Sequence, residues 1–130
     1  MPRHSRCTPL AATFAAALSL WAPSAHAQRA LKVYISADME GVAGVASGDQ
    51  LSPSSFEYER FRGFMTAEVI AAIQGARDAG ATTIVVSDSH GNGQNLLIER
   101  LPDDITIVRS SPRPLMMMEG IDSSFTAAVF

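Results

Sequence analysis

Two short runs rich in β-branched residues, 31–35 and 82–86, lie on either side of one long segment with helical periodicity. Within residues 55–79, apolar side chains recur at spacings of three and four, which predicts a single amphipathic helix. Ser54 or Ser55 can cap its start, and Gly80 can end it. A strand, a helix and a strand in this order form a βαβ unit, in which the two strands pair in parallel through a right-handed crossover.

Two further apolar runs extend this unit into a sheet. The predicted strands cover residues 31–36, 82–87, 105–109 and 126–130, and a short helix capped by Asn92 is predicted at about residues 94–101. The predicted fold class is therefore α/β, with three layers and a mostly parallel sheet built from βαβ units. Because the chain stops within an apolar run, we expect the sheet to be truncated after its fourth strand and the chain to be the front part of a longer protein.

The N-terminus has the pattern of a targeting segment. Arg3, His4 and Arg6 form a positive region, an apolar stretch follows at about residues 10–21, and Ala25-His26-Ala27 supplies an A-x-A cleavage site. The apolar stretch is shorter than the 18 or more residues typical of a membrane-spanning helix. We therefore predict a signal peptide over residues 1–27, cleaved after Ala27, and a periplasmic or secreted protein with no membrane attachment after cleavage.

Cleavage would leave one unit, residues 28–130, and would change its charge and chemistry. The removed segment holds two arginines and no acidic residue, so the net charge falls from −3 to −5. A mildly acidic chain without a basic stripe is not typical of a nucleic-acid-binding protein. The single cysteine, Cys7, leaves with the signal, so no disulfide is expected, and His90 becomes the only histidine.

Polar residues follow directly after the first two predicted strands. Asp38 and Glu40 come after the first, and His90 comes after the second. On an extended backbone Asp38 and Glu40 would leave the same face, and paired strands lie only about 4.8 Å apart. The carboxyl ends of strands are also where open α/β sheets bind ligands. We therefore expect these three side chains to converge.

Two carboxylates and one imidazole suit zinc or another divalent transition metal better than calcium or magnesium, which prefer oxygen ligands alone. Two bare carboxylates about 5 Å apart repel by roughly 3 kcal/mol at an effective dielectric constant of 20, so a half-buried pair needs a cation, a proton or access to water. The spacing by itself leaves a solvated loop open as the alternative to a metal site.

The same segments resemble the M55 family of D-aminopeptidases, the DppA-type zinc metallopeptidases. The matching stretches keep one order along nearly all of the predicted mature chain: VYISADMEGV at 33–42, YER at 58–60, MT at 65–66, VSDSH at 86–90, NL at 95–96 and MEGID at 118–122. The resemblance implies an enzyme that removes N-terminal residues, including D-residues, from short peptides. It also implies two zinc ions in a shared pocket and a ring-shaped homo-oligomer.

Carried over by this resemblance, Asp38 would bridge the two ions, while Glu40 and His90 would each hold one. The family pattern continues with further histidine and glutamate residues that this chain does not contain, so the second zinc site is expected to be incomplete and no catalytic residue is assigned. Asp88 and Glu119 are expected to serve other roles, and Glu119 lies in a segment that is predicted to be a turn. A non-catalytic periplasmic module that binds a small molecule or peptide, or an inactive fragment, remain the alternatives.

Overall fold

The two apolar runs form neighbouring parallel strands in the computed structural model, which describes residues 30–130. Strand β1 covers Leu31–Ala37, and its side chains are buried from Val33 onward. A strand covered on both faces in this way is typical of a parallel α/β sheet. The predicted signal peptide lies outside the described residues.

Helix α1 covers Tyr58–Asp78 and follows β1 after a loop of two 3₁₀ turns. It begins three residues later than predicted, and neither Ser54 nor Ser55 caps it. These serines belong instead to preceding turns, in which the Ser55 N–H bonds to the Ser52 carbonyl and the Tyr58 N–H bonds to the Ser55 carbonyl. The predicted end is confirmed, because Gly80 adopts a φ of 91° directly after the C-cap residue Ala79.

Strands β2 (Ala81–Asp88), β3 (Thr106–Val108) and β4 (Ala127–Val129) complete a sheet with the order β3-β2-β1-β4. Every pair is parallel, which confirms the predicted sheet. Strands β1 and β2 lie at its centre. The register pairs Ile35 with Val86 and Ala37 with Asp88, so both central strands end at the same edge.

The short helix predicted at about residues 94–101 does not form, and only a 3₁₀ turn at Ile98–Arg100 is present. The N–H groups of residues 94–97 bond to side chains rather than to carbonyls one turn earlier. Those of Asn95 and Leu96 donate to the Asp88 carboxylate, and that of Leu97 donates to the Thr66 hydroxyl. Asn92 accepts the Gln94 N–H, but no helix follows it.

The main core lies between α1 and one face of the sheet. Its buried residues include Val33, Ile35, Ile84 and Val86 from the strands, and Phe61, Met65, Val69 and Ile73 from the helix. Each such side chain contributes roughly 1.5–3 kcal/mol on full burial. On the other face the segment at residues 112–120 covers Tyr34, whose hydroxyl donates to the carbonyls of Met117 and Glu119. Within residues 30–130, no helix is both long enough and apolar enough to span a membrane.

Candidate metal centre

The site lies where β1 and β2 end side by side. Beyond the last paired residues, the Ser89 N–H donates to the Ala37 carbonyl at 2.8 Å and extends the contact between the strands by one step. Asp38 therefore leaves β1 at the point where His90 follows β2. Both residues stand at the carboxyl edge of the sheet, as the βαβ unit predicts.

Asp38, Glu40 and His90 are brought together at this edge. One possible ligand atom from each lies within 4.8 Å of the others. The Nδ1 atom of His90 is 3.1 Å from Asp38 Oδ1 and 2.8 Å from Glu40 Oε2. The expected convergence of the three side chains is thus present, while their role as metal ligands stays a prediction.

Glu40 reaches the cluster by a different route from the one expected. Asp38 is extended, with φ −129° and ψ 134°, but Met39–Gly41 form a 3₁₀ turn instead of continuing the strand. The fully buried Met39 side chain anchors this turn in the core. The turn carries Glu40 back toward Asp38, so the assumption that both leave one face of an extended strand is wrong.

The ring of His90 is oriented by a backbone carbonyl. Its Nε2 atom lies 2.9 Å from the carbonyl oxygen of Leu51. Because a carbonyl only accepts, Nε2 must carry the hydrogen, and in the neutral ring Nδ1 is then left with a lone pair facing the two carboxylates. A second partner that fixes the tautomer in this way is typical of metal-binding histidines.

The loop that supplies the Leu51 carbonyl is held by Gln50. The Oε1 atom of Gln50 accepts the N–H groups of Ala46 and Ser47, and its Nε2 atom donates to Glu57 at the start of α1. Gln50 is buried, in keeping with this internal role. The loop after β1 is therefore an ordered element that closes over His90.

The surroundings shift the proton affinities of all three groups. Burial, and then the neighbouring Glu40 carboxylate, raise the pKa of Asp38, whereas the hydrogen bond with Asp38 holds the pKa of Glu40 below its ordinary value. Burial alone would lower the pKa of His90, but the Leu51 carbonyl and the two carboxylates outweigh it and raise that pKa. Without a cation the cluster thus favours holding a proton, as expected of acids crowded together.

The donor set fits a zinc ion. Two carboxylates and an imidazole with a free lone pair make three protein ligands, which is the number found in catalytic zinc sites that keep one position open. The His90 side chain is only 12% exposed, while those of Asp38 and Glu40 are 37% and 57% exposed. The open side of the cluster is therefore the carboxylate side, where a small molecule can approach.

The other two candidate acids serve structural roles, as expected. Asp88 is fully buried, and its carboxylate accepts N–H groups from Asn95 and Leu96. The Glu119 carboxylate accepts the N–H of Leu115 within its own loop. Neither belongs to the cluster of Asp38, Glu40 and His90.

Two residues at the site were not identified from the sequence. Leu51 contributes only a backbone carbonyl, which no sequence pattern reveals. Asn95 donates from its side chain to the His90 carbonyl at 2.5 Å. The NL stretch at residues 95–96 was part of the likeness to the M55 family, and this was the one signal that could have pointed to Asn95.

Comparisons with known proteins agree on one family. The family model of the M55 peptidases, which is described as D-aminopeptidase, matches residues 31–130 of this sequence. A curated D-aminopeptidase of Bacillus subtilis (strain 168) is 35% identical over 100 residues, which are 77% of this chain and 36% of that protein. Among solved structures, the Zn-dependent D-aminopeptidase DppA from Bacillus subtilis, described as a self-compartmentalizing protease, is similar with a TM-score of 0.73 and 35% identity. The match covers 75% of this chain and 36% of that one, so the chain spans about a third of the length of these relatives.

Proposed function

Because this chain belongs to the M55 family of D-aminopeptidases, we propose that it provides zinc-binding residues of an exported aminopeptidase that removes N-terminal residues from short peptides. The observation that carries the proposal is the cluster of Asp38, Glu40 and His90. Its donor set and its open carboxylate side suit a zinc ion that must also contact a substrate. The relative of known structure is Zn-dependent, which supports the choice of metal.

In this proposal each of the three residues has a defined task. Asp38 and Glu40 bind the metal through carboxylate oxygens, and His90 binds it through Nδ1. The Leu51 carbonyl accepts Nε2–H, so Nδ1 is the nitrogen that faces the two carboxylates and would bind the metal once its proton is displaced. When bound, zinc supplies Lewis acidity and lowers the pKa of a water molecule. The second ion implied by the family resemblance remains a prediction.

The substrate would approach from the solvent side of the two carboxylates. A cavity of about 180 Å³ opens beside Asp38, between the end of β1 and helix α1. Val42 and Met65 give it an apolar wall, and the Glu68 side chain lies at its edge. We propose that the N-terminal residue of a short peptide occupies this cavity, with its peptide bond next to the metal. Preference for D-residues, and assembly into a homo-oligomer, are proposed from the names of the relatives.

Zinc binding by the full chain tests the core of the proposal. Competition with a chromophoric chelator should give a defined affinity for the wild type, and Asp38→Ala, Glu40→Gln and His90→Gln should each lose most of it. Asp103→Asn changes an exposed acid in a turn before β3 and should bind as the wild type does. Equal affinity in the three cluster variants and the wild type would contradict the assignment.

Hydrolysis of D-alanyl and L-alanyl dipeptides tests the reaction in a zinc-loaded protein in which this chain is extended to the full length of its relatives. In that protein we expect release of the N-terminal residue, and loss of this release on chelation and in Asp38→Ala. Activity that survives in Asp38→Ala would remove that residue from the mechanism. Zinc binding without any hydrolysis in that protein would refute the peptidase proposal and favour a metal-binding module. The chain of 130 residues alone, with its second zinc site incomplete, should hydrolyse these dipeptides poorly or not at all.

A further inference from the structure

A buried carboxylate next to the metal centre has no part in binding the metal. Asp88 is the last residue of β2 and is fully buried. Its oxygens accept the N–H of Asn95 at 2.6 Å, the N–H of Leu96 at 2.7 Å and the side-chain amide of Asn95 at 2.8 Å. Hydrogen bonds to a carboxylate are among the stronger ones in proteins. The buried Asp88 carboxylate thus fixes the position of Asn95.

Asn95 in turn holds the backbone of the metal-binding histidine. Its side-chain amide has two hydrogens, and one is donated to Asp88 while the other is donated to the carbonyl of His90 at 2.5 Å. The loop between them is short and contains Gly91 and Gly93, both with positive φ. A loop of this composition has little conformational preference of its own, so its shape depends on the groups that hold it.

Helix α1 fixes Asn95 from the opposite side. The hydroxyl of Tyr58 donates to Asn95 Oδ1 at 2.6 Å, and Arg62 Nε donates to the Asn95 carbonyl at 2.7 Å. We refer to Tyr58, Arg62, Asp88 and Asn95 as the Asn95 network. With it, the side-chain amide and both backbone polar groups of Asn95 have partners, which makes this buried residue rigid.

We propose that the Asn95 network is a positioning device for the metal centre: it ties His90 to helix α1 and to β2 and thereby sets where Nδ1 meets Asp38 and Glu40. This inference rests on the proposed function, because it concerns the same metal centre. Residues that orient a metal ligand in this way typically change metal affinity by 10- to 100-fold when they are removed. A network that only stabilised the fold would leave the affinity of the folded protein unchanged.

The two tyrosines of the chain provide a matched test. Tyr58→Phe removes the hydroxyl that holds Asn95, and Tyr34→Phe removes a buried hydroxyl on the opposite face of the sheet, which donates to the carbonyls of Met117 and Glu119. We expect both variants to melt at lower temperature. Zinc affinity, measured by chelator competition at fixed pH, should fall roughly 10-fold or more in Tyr58→Phe. It should stay at the wild-type value in Tyr34→Phe.

A second measurement needs no metal. In the metal-free full chain, the ring nitrogen signals of His90 can be followed by ¹⁵N NMR, after assignment with His90→Gln. We expect these signals to shift in Tyr58→Phe and to stay in place in Tyr34→Phe. If the wild type binds no zinc, the proposed function is contradicted. The His90 signals of the metal-free chain then still test the positioning role.

A second pair of variants covers the case in which Tyr58→Phe does not fold. Arg62→Met removes the donor to the Asn95 carbonyl, and Arg60→Met changes a neighbouring arginine that is 69% exposed and lies near Glu57. Arg62→Met should weaken zinc binding and shift the His90 signals, and Arg60→Met should do neither. Equal zinc affinity and unchanged His90 signals in Tyr58→Phe, or in Arg62→Met should Tyr58→Phe not fold, would overturn the proposal.

Discussion

Asp38→Asn should have opposite effects on stability with and without zinc. The pKa of Asp38 is raised, first by burial and then by Glu40, so its ionised form is less favourable in the folded than in the unfolded chain. A carboxyl with a raised folded pKa lowers stability as the pH rises through that value, so the ionised Asp38 carries this penalty in the folded chain. An asparagine of the same shape removes the charge, and its side-chain oxygen can still accept a hydrogen bond from His90.

The size of the effect follows from the geometry. The ligand atoms lie within 4.8 Å of one another. At that distance two unit charges repel by about 1 kcal/mol in water and about 3.5 kcal/mol at an effective dielectric constant of 20. Because the two carboxylates are 37% and 57% exposed, solvent screening favours the lower figure. About 1 kcal/mol corresponds to a rise in Tm of roughly 4 °C for a domain of this size.

Thermal unfolding followed by circular dichroism at pH 7 gives the comparison. In excess chelator, we expect Asp38→Asn to melt a few degrees above the wild type. With zinc at 100 times its Kd, the wild type gains about 2.7 kcal/mol, and Asp38→Asn should lose most of that gain. Asp103→Asn should follow the wild type in both conditions. A variant that melts below the wild type in chelator, or one that keeps the full zinc gain, would refute the reasoning.

Three further predictions concern pH, backbone conformation and export. Zinc affinity should be constant above the raised pKa of His90 and fall about tenfold per pH unit below it, because Nδ1 must lose its proton to bind; chelator competition from pH 5 to 8 measures this. Gly93→Ala should cost at least about 1–2 kcal/mol in urea unfolding, since φ is 67° and a Cβ would lie 2.8 Å from Ser110 N. Gly75 lies in α1 with open space around it, so Gly75→Ala should instead raise the free energy of unfolding by about 0.5–1 kcal/mol. If both substitutions changed the free energy of unfolding in the same direction, this account would be contradicted. N-terminal sequencing of the exported protein should begin at Gln28, and a chain that retains Met1 would exclude cleavage.

The sheet and the long helix could be predicted because their residues repeat with a clear period. The β-branched runs that became β1 and β2, and the apolar stripe from Phe61 to Ile73, each favour one structure. The helix predicted at about residues 94–101 does not form because tertiary contacts compete with it. The N–H groups of residues 95–97 bond to Asp88 and Thr66, which lie outside the segment, and those bonds replace the ones that a helix would make.

At the site, the sequence predicted which side chains meet but not how they meet. The meeting of Asp38 and His90 follows from the parallel register of β1 and β2. Glu40 reaches the cluster because Met39–Gly41 form a 3₁₀ turn with Met39 buried. The geometry of an extended strand does not predict this turn. The Leu51 carbonyl and the Asn95 amide come from loops, and their contacts with His90 depend on backbone paths that residue spacing does not encode.

Diffraction from crystals of the zinc-loaded protein, with anomalous data at the zinc edge, tests the central claim most directly. We predict an anomalous peak about 2.0–2.2 Å from His90 Nδ1 and from one oxygen each of Asp38 and Glu40. The Leu51 carbonyl should remain bonded to Nε2. A peak elsewhere, or one coordinated by Nε2, would contradict the account of how this edge of the sheet binds metal.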